Sequence, residues 1–329
     1  MIPISPAEAV ARARTVPDRF RSYTATAGDA SRAYAISADL LEELLDLGLP
    51  GKTSGGNILL DPVDLENCST NLRTDSPQWA VLNIWKKHLG SPRSVDGGTC
   101  EIRIAWRCPT PGHPGDCAYL VDPRLTDPEA ARAHHQTSST TLTITANVAG
   151  QAHDLGESFK DVAGAAQEIT YHKLPDALAS DLRFLQDTGL ADCRLAGLHL
   201  TAVAQEAGFT ARAAQGYFLG IPFPAPHAWF EVRVGRRWVA ADPFFLNTLH
   251  QWGVMDARTW PLTHSPRNVF WRTGVTPPAT APAHTPLVLH LGRPTPASLM
   301  ARWKAPACVQ RPHRQGVTAA EEGGHQPSA

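Results

Sequence analysis

The tightest constraint on the fold comes from two short runs rich in aromatic and β-branched residues, HAWFEVRV (227–234) and RWVAADPF (237–244), separated by Gly235 and Arg236 alone. Runs of this kind read as strands, and two intervening residues make a hairpin. Glycine suits the first central position of a type II′ turn. That turn sets the register: Val234 faces Arg237 and Trp229 faces Asp242, so His227 becomes the diagonal neighbour of Asp242 on one face. A loop one residue longer would put the two on opposite faces. An imidazole and a carboxylate can therefore meet across the hairpin, the arrangement in which a carboxylate fixes a histidine tautomer and supports the imidazolium. Taken singly, His227 reads as a surface or turn histidine, and Asp242 before Pro243 as a turn former.

Upstream, CRLAGLHLTAVAQEAG (193–208) has helical periodicity and ends at Gly208. Asp192 can cap this helix, with Leu195, Leu198, Ala202 and Val203 forming the apolar face behind Cys193. Exposed amides and the positive end of the helix dipole favour a thiolate at such a place, although the Asp192 charge opposes it if it points at the sulfur. An isolated cysteine at a helix start otherwise reads as a small buried thiol.

The rest of the chain divides by pattern. SPAEAVARARTV and SADLLEELLDLGLPG predict two helices before residue 52, the first with Ser5 and Pro6 in cap and first-turn positions. From about 99 to 148, TCEIRIAWRC, CAYLVDP and TTLTITANV predict strands, so residues 1–150 are expected to form an N-terminal α+β region of unassigned role. Helices follow at ESFKDVAGAAQEITYH and DALASDLRFLQDTG, then the helix of Cys193, then strands in TARAAQGYFLG, HAWFEVRV and RRWVAADPFF. Residues 151–275 are thus expected to be an α+β domain. The Pro- and Ala-rich residues 276–329 are expected to be a flexible tail.

The order of Cys193 opening a helix, Gly208, Ala211-Arg212, Gly216-Tyr217, His227-Ala228-Trp229 and Trp238 followed by Asp242-Pro243 resembles the transglutaminase-like superfamily, which shares a papain-like core. The resemblance covers about residues 165–245, and it departs from common members in placing Ala191-Asp192 before the cysteine and Arg194 after it. It implies a helix carrying Cys193 packed on an antiparallel sheet carrying His227 and Asp242, with Cys193 as nucleophile, His227 as base and Asp242 as the orienting group. It also implies an acyl-Cys193 intermediate passed to an amine, or to water. An acyl donor (amide, ester or thioester) and an amine, peptide or carrier-protein acceptor are the expected partners. Gln186 is a candidate oxyanion donor, against its reading as a solvated polar residue at a helix end. Tyr217 and Trp229 are candidates to line the acyl cleft, against their reading as core aromatics.

Composition removes other classes. Thirty Lys and Arg against 31 Asp and Glu give a net charge of -1, no basis for holding a phosphate backbone. No stretch approaches the roughly 20 apolar residues that cross a bilayer, and no secretory leader is recognisable, so a cytoplasmic setting with reduced thiols is expected. Cys100, Cys108, His113 and Cys117 offer zinc-ligand types around PTPGHPGD. They lack a short Cys pair with two to four intervening residues, so they are read as separate thiols in a hairpin, and neither metal nor cofactor is expected. Competing readings are a cysteine peptidase or amidohydrolase on the same triad, a binding protein retaining the fold without turnover, and a zinc-dependent hydrolase built on the Cys-rich loop.

Overall fold

The computed structural model describes residues 3–90, 98–122, 135–148, 153–266, 269–275, 287–290 and 293–303. Helices α1 (Pro6–Thr15), α2 (Ala27–Tyr34) and α3 (Ala38–Asp46), the hairpin of β1 (Gly51–Ser54) and β2 (Asn57–Leu60), and α4 (Pro62–Leu72) open the chain. Ser5 caps α1 by accepting the amide of Glu8, as the sequence predicts, and Ser37 caps α3 by accepting that of Leu40. The unexpected helix α2 is defined by a reciprocal capping box between Thr26 and Asp29. These elements close on a core of their own that includes Val10, Ala13, Leu44, Leu65 and Cys68. Helix α5 (Pro77–Leu89) belongs elsewhere: Trp79, Leu82 and Trp85 pack with Phe218 and Trp229.

Next come β3 (Gly98–Trp106), β4 (Tyr119–Val121), β5 (His135–Thr137) and β6 (Thr141–Val148). After them follow α6 (Lys160–Gln167), β7 (Thr170–Tyr171), α7 (Leu182–Thr188), β8 (Leu190–Ala191) and α8 (Cys193–Glu206). The strands β9 (Ala211–Phe218), β10 (Ala225–Val234) and β11 (Arg237–Ala241), helix α9 (Pro243–Gln251) and β12 (Phe270–Val275) complete the central part. The chain closes with β13 (Val288–His290), β14 (Arg293–Pro294) and β15 (Ala297–Trp303).

The central antiparallel sheet has the order β11-β10-β9-β12, and α8 packs on it. Leu195, Ala196 and Leu200 of α8 share a core with Phe230 and Val232 of β10. Gly197 permits a close approach, since a side chain there would already stand in van der Waals contact with the Trp229 backbone. A helix bearing the cysteine on a sheet bearing the histidine is the α+β arrangement expected. No helix among the described residues is long and apolar enough to cross a membrane.

Three expectations need correction. Strands β3–β6 do not join α1–α4: two smaller sheets, β15-β3-β6 and β14-β13-β4-β5, form a core in which Ile102, Tyr119 and Val288 meet Tyr217, Leu219 and Trp271. The N-terminal region thus splits between a helical unit and a β layer on the central sheet. Second, part of the expected tail is strand. Ala297, Leu299, Ala301 and Trp303 alternate with the exposed Ser298, Met300 and Arg302, a period-2 pattern paired along β3; residues 276–286 and 304–329, with Cys308, lie outside the described residues. Third, the run RRWVAADPFF does not stay extended. Asp242 caps α9 through the Phe245 amide, and Pro243 takes a first-turn position where its missing N–H costs nothing.

Candidate active site

The hairpin register is the predicted one, running from Phe230 opposite Ala241 to Val234 opposite Arg237. Gly235 has φ +60° while Arg236 does not have positive φ, which distinguishes II′ from I′. Asp242 follows as the first residue past β11. Its Oδ1 accepts the Phe245 amide at 2.9 Å, and its Oδ2 lies 2.7 Å from His227 Nε2. One carboxylate therefore starts a helix and holds an imidazole. Because a carboxylate only accepts, Nε2 carries the proton of this bond and Nδ1 of a neutral ring has the free lone pair. Both side chains are buried, and Phe245 and Phe270 stand 4.2 and 4.9 Å from the imidazole centroid. Those rings fix the plane of His227 and exclude water from its bond to Asp242.

Cys193 opens α8 and is half-buried. Asp192 Oδ1 accepts the amides of Arg194 and Leu195 at 2.9 and 3.1 Å, and the Ala196 amide bonds the Asp192 carbonyl. None of these bonds uses the Cys193 N–H. The unusual neighbours prove to be partners: Arg194 Nε and Nη2 donate to Asp192 Oδ2 at 2.9 and 2.7 Å, while Nη1 reaches Asp176. The Asp192 charge is thus tied down by the residue on the other side of the cysteine. The sulfur accepts a hydrogen bond from the backbone of Ala228, the residue after His227, which brings the start of α8 to β10.

Burial opposes the thiolate that the helix start favours. Burial first, then the charge of Asp192, raises the Cys193 thiol to about 12; the Ala228 N–H and Arg194 only partly oppose this. The helix dipole is outweighed by loss of hydration.

Other residues of the pattern act as supports. Arg212 on β9 donates to buried Glu231 on β10 through Nε at 2.9 Å and Nη2 at 2.7 Å and lies 4.1 Å over the Trp238 ring, while Arg272 on β12 adds a third contact to Glu231 at 3.0 Å. These bonds lock three neighbouring strands beneath the hairpin. Gly216 is paired with His227, and a Cβ there would stand 2.0 Å from the Trp271 carbonyl oxygen, so only glycine lets β12 close on β9 at its bulge. Gly208 ends α8 with φ +87°.

The cleft candidates sit in cores. Trp229 is 1% exposed beside His227, and Tyr217 is buried on the opposite face against Trp271, so neither offers appreciable surface to a ligand. Gln186 is exposed on α7. The reading of separate thiols in the Cys-rich loop does not hold: Cys100 is buried in β3, but Cys108, His113 and Cys117 converge.

Residues 142–243 match the family model described as the Transglutaminase-like superfamily, a span that contains Cys193, His227 and Asp242 and amounts to well under half of the chain. No curated protein matches the chain.

Proposed function

We propose that the transglutaminase-like domain is a thiol acyltransferase in which Cys193 is the nucleophile, His227 its base and Asp242 the orienting carboxylate. The observation that carries this reading is the buried 2.7 Å bond from His227 Nε2 to Asp242, beside a helix start whose cysteine sulfur meets the next residue of the same strand. A transglutaminase-like domain is a cysteine-based catalytic fold in general; the reaction type is the step added here.

The raised thiol sets the order of events. Proton transfer from sulfur to His227 Nδ1 accompanies attack on the acyl carbonyl, since a standing thiolate is disfavoured. The S–C bond forms while the carbonyl π pair moves to oxygen. The Cys193 N–H is a backbone donor suited to that oxyanion. Collapse breaks the bond to the leaving group, which takes its proton from the imidazolium, and an acyl-Cys193 thioester remains. Asp242 stabilises the imidazolium in both steps. An amine acceptor gives a new amide, and water gives hydrolysis.

The test is alkylation of the native protein with iodoacetamide across pH 6–9, followed by peptide mass spectrometry, for the wild type and His227→Ala. Labelling of Cys193 in the wild type that outpaces Cys68, and that collapses in the variant, supports an activated pair. Cys193 labelling that is indifferent to His227 refutes the assignment.

A further inference from the structure

The loop between β3 and β4 brings together side chains that the acyl-transfer reading does not use. Ligand atoms of Cys108, His113, Cys117 and His290 all lie within 4.8 Å of one another. His113 Nε2 is 3.2 Å from Cys117 Sγ, and the His113 and His290 ring centroids are 4.8 Å apart. Cys108 lies just past the end of β3, Cys117 just before β4, and His290 ends β13.

Two features indicate that this cluster is made for a ligand rather than for itself. His113 Nδ1 is 3.0 Å from the Pro114 carbonyl oxygen. A carbonyl only accepts, so Nδ1 carries the proton and Nε2 presents its lone pair to the cluster, as in metal-binding histidines whose other ring nitrogen donates to a backbone carbonyl. The second feature is His290, 1% exposed, whose Nε2 is buried with no hydrogen-bond partner among the described residues. An imidazole nitrogen left so costs about 1–3 kcal/mol unless something occupies it.

We propose that Cys108, His113, Cys117 and His290 form a structural zinc site. Two thiolates and two neutral imidazoles are the donor set of a closed tetrahedral site, with no position left for substrate. On binding, each thiol loses its proton to solvent, and the two sulfur charges balance the dication. Zn–S distances of about 2.3 Å and Zn–N distances of about 2.0 Å put donor atoms roughly 3.3–3.8 Å apart, so the cluster draws in by about 1 Å at its widest. Gly112 and Gly115, both at positive φ, give the loop backbone freedom for that movement.

The consequence is architectural. The metal ties the end of β3 in one small sheet to β4 and β13 in the other. Both sheets share a core with Tyr217 and Trp271 of the central sheet, on the face that also carries α8. Zinc would therefore brace the layer that shares a face of the central sheet with the helix of Cys193.

Tag-free protein purified without chelator is analysed for metal, and the stripped, reduced protein is titrated with Co(II). The expected result is about one zinc per chain, thiolate-to-Co(II) charge-transfer absorption that saturates at one equivalent, and loss of both in Cys108→Ser/Cys117→Ser. Mercurial modification of the native wild type should release the same equivalent of zinc into a chromogenic chelator, a measurement that needs no folded variant. Absence of metal together with no Co(II) thiolate absorption overturns the proposal, as does a Cys108–Cys117 disulfide that persists under reductant, or zinc retained undiminished in the double variant.

Discussion

The β10–β11 hairpin and the β3–β4 loop each gather a histidine with its partners, but only the hairpin is complete by itself. His227 and Asp242 satisfy each other at 2.7 Å, walled by aromatic rings, and their meeting follows from a two-residue turn. In the loop, four donors face one another, and the His290 Nε2 has no hydrogen-bond partner among the described residues. A polar pair fixed by backbone register needs no ligand to persist, whereas convergent donors of one kind need something that accepts from all of them. Damage to the hairpin pair should therefore abolish chemistry with little loss of fold, and damage to the loop cluster should cost stability with little change at Cys193.

The strongest test of that contrast is Cys193→Ala. Acyl-enzyme formation, read by intact mass after incubation with a reactive thioester or ester, should vanish, a loss of at least about 10³-fold in turnover. The melting temperature should stay within about 2 °C of the wild type. Zinc chelation should do the reverse, lowering the melting temperature while leaving acylation per folded molecule unchanged. A chelated protein that remains folded and loses acylation would erase the distinction between the two regions.

Next in size is Asp242→Asn. Asparagine is as good a cap as aspartate, so α9 should keep its start, but a neutral amide neither stabilises the imidazolium nor enforces the productive tautomer. The expected fall in kcat is about 10²–10⁴-fold with stability nearly unchanged. Loss of stability in proportion to activity would mean that Asp242 serves only the helix.

The hairpin was legible because everything it depends on is local. Gly235, the strand patterns and a two-residue turn fix the facing of His227 and Asp242 without knowledge of the rest of the chain. The start of α8 was legible for the same reason, through Asp192 as cap. Signals that failed were long-range or competing. His290 comes from a strand far from the Cys108–Cys117 loop, and its neighbours in sequence are rich in Pro and Ala, which masked a short strand. The aromatic residues after Asp242 look extended, yet Asp242 and Pro243 together start a helix. α2 buries only Ala30, too small an apolar face for periodicity to register. The state of the Cys193 thiol depends on burial by elements scattered along the chain, and the helix start alone points the wrong way.

A third histidine separates acid loss of chemistry from acid loss of fold. His172 is fully buried, its Nε2 accepts from Asn67 Nδ2 at 3.1 Å, and burial lowers it to about 3. Its amide bonds the Ala191 carbonyl, on the strand leading to Cys193. For a depressed group the sign is definite: the stability it provides is whole above its unfolded value near 6.5 and is lost as pH falls toward 3. At pH 4 the loss is on the order of 3 kcal/mol. Asp64, raised by burial to about 6 despite Arg21, acts in the opposite sense, its contribution being lost as pH rises through that value. The diagnostic quantity is therefore the difference between wild type and His172→Gln. Urea midpoints measured between pH 4 and 7 should fall less steeply toward acid in the variant, and parallel curves would remove His172 as the origin of the acid limb.

The smallest expected effect separates the two tasks of one carboxylate. Asp242→Ala removes both the bond to His227 and the cap on the Phe245 amide, whereas Asp242→Asn retains a side-chain oxygen for the cap. The alanine variant should therefore be less stable than the asparagine variant by about 1 kcal/mol, the usual value of a helix cap. It should be no less stable than that, because Pro243 and the buried Phe244, Leu246 and Leu249 hold α9 in place by packing. Activity should be equally poor in both, since neither keeps a charge beside Nε2. If alanine instead costs several kcal/mol more than asparagine, the cap at Asp242 anchors more than its own helix. The aromatic wall that α9 supplies to His227 through Phe245 would then depend on it, and the hairpin pair would be less self-contained than its register implies.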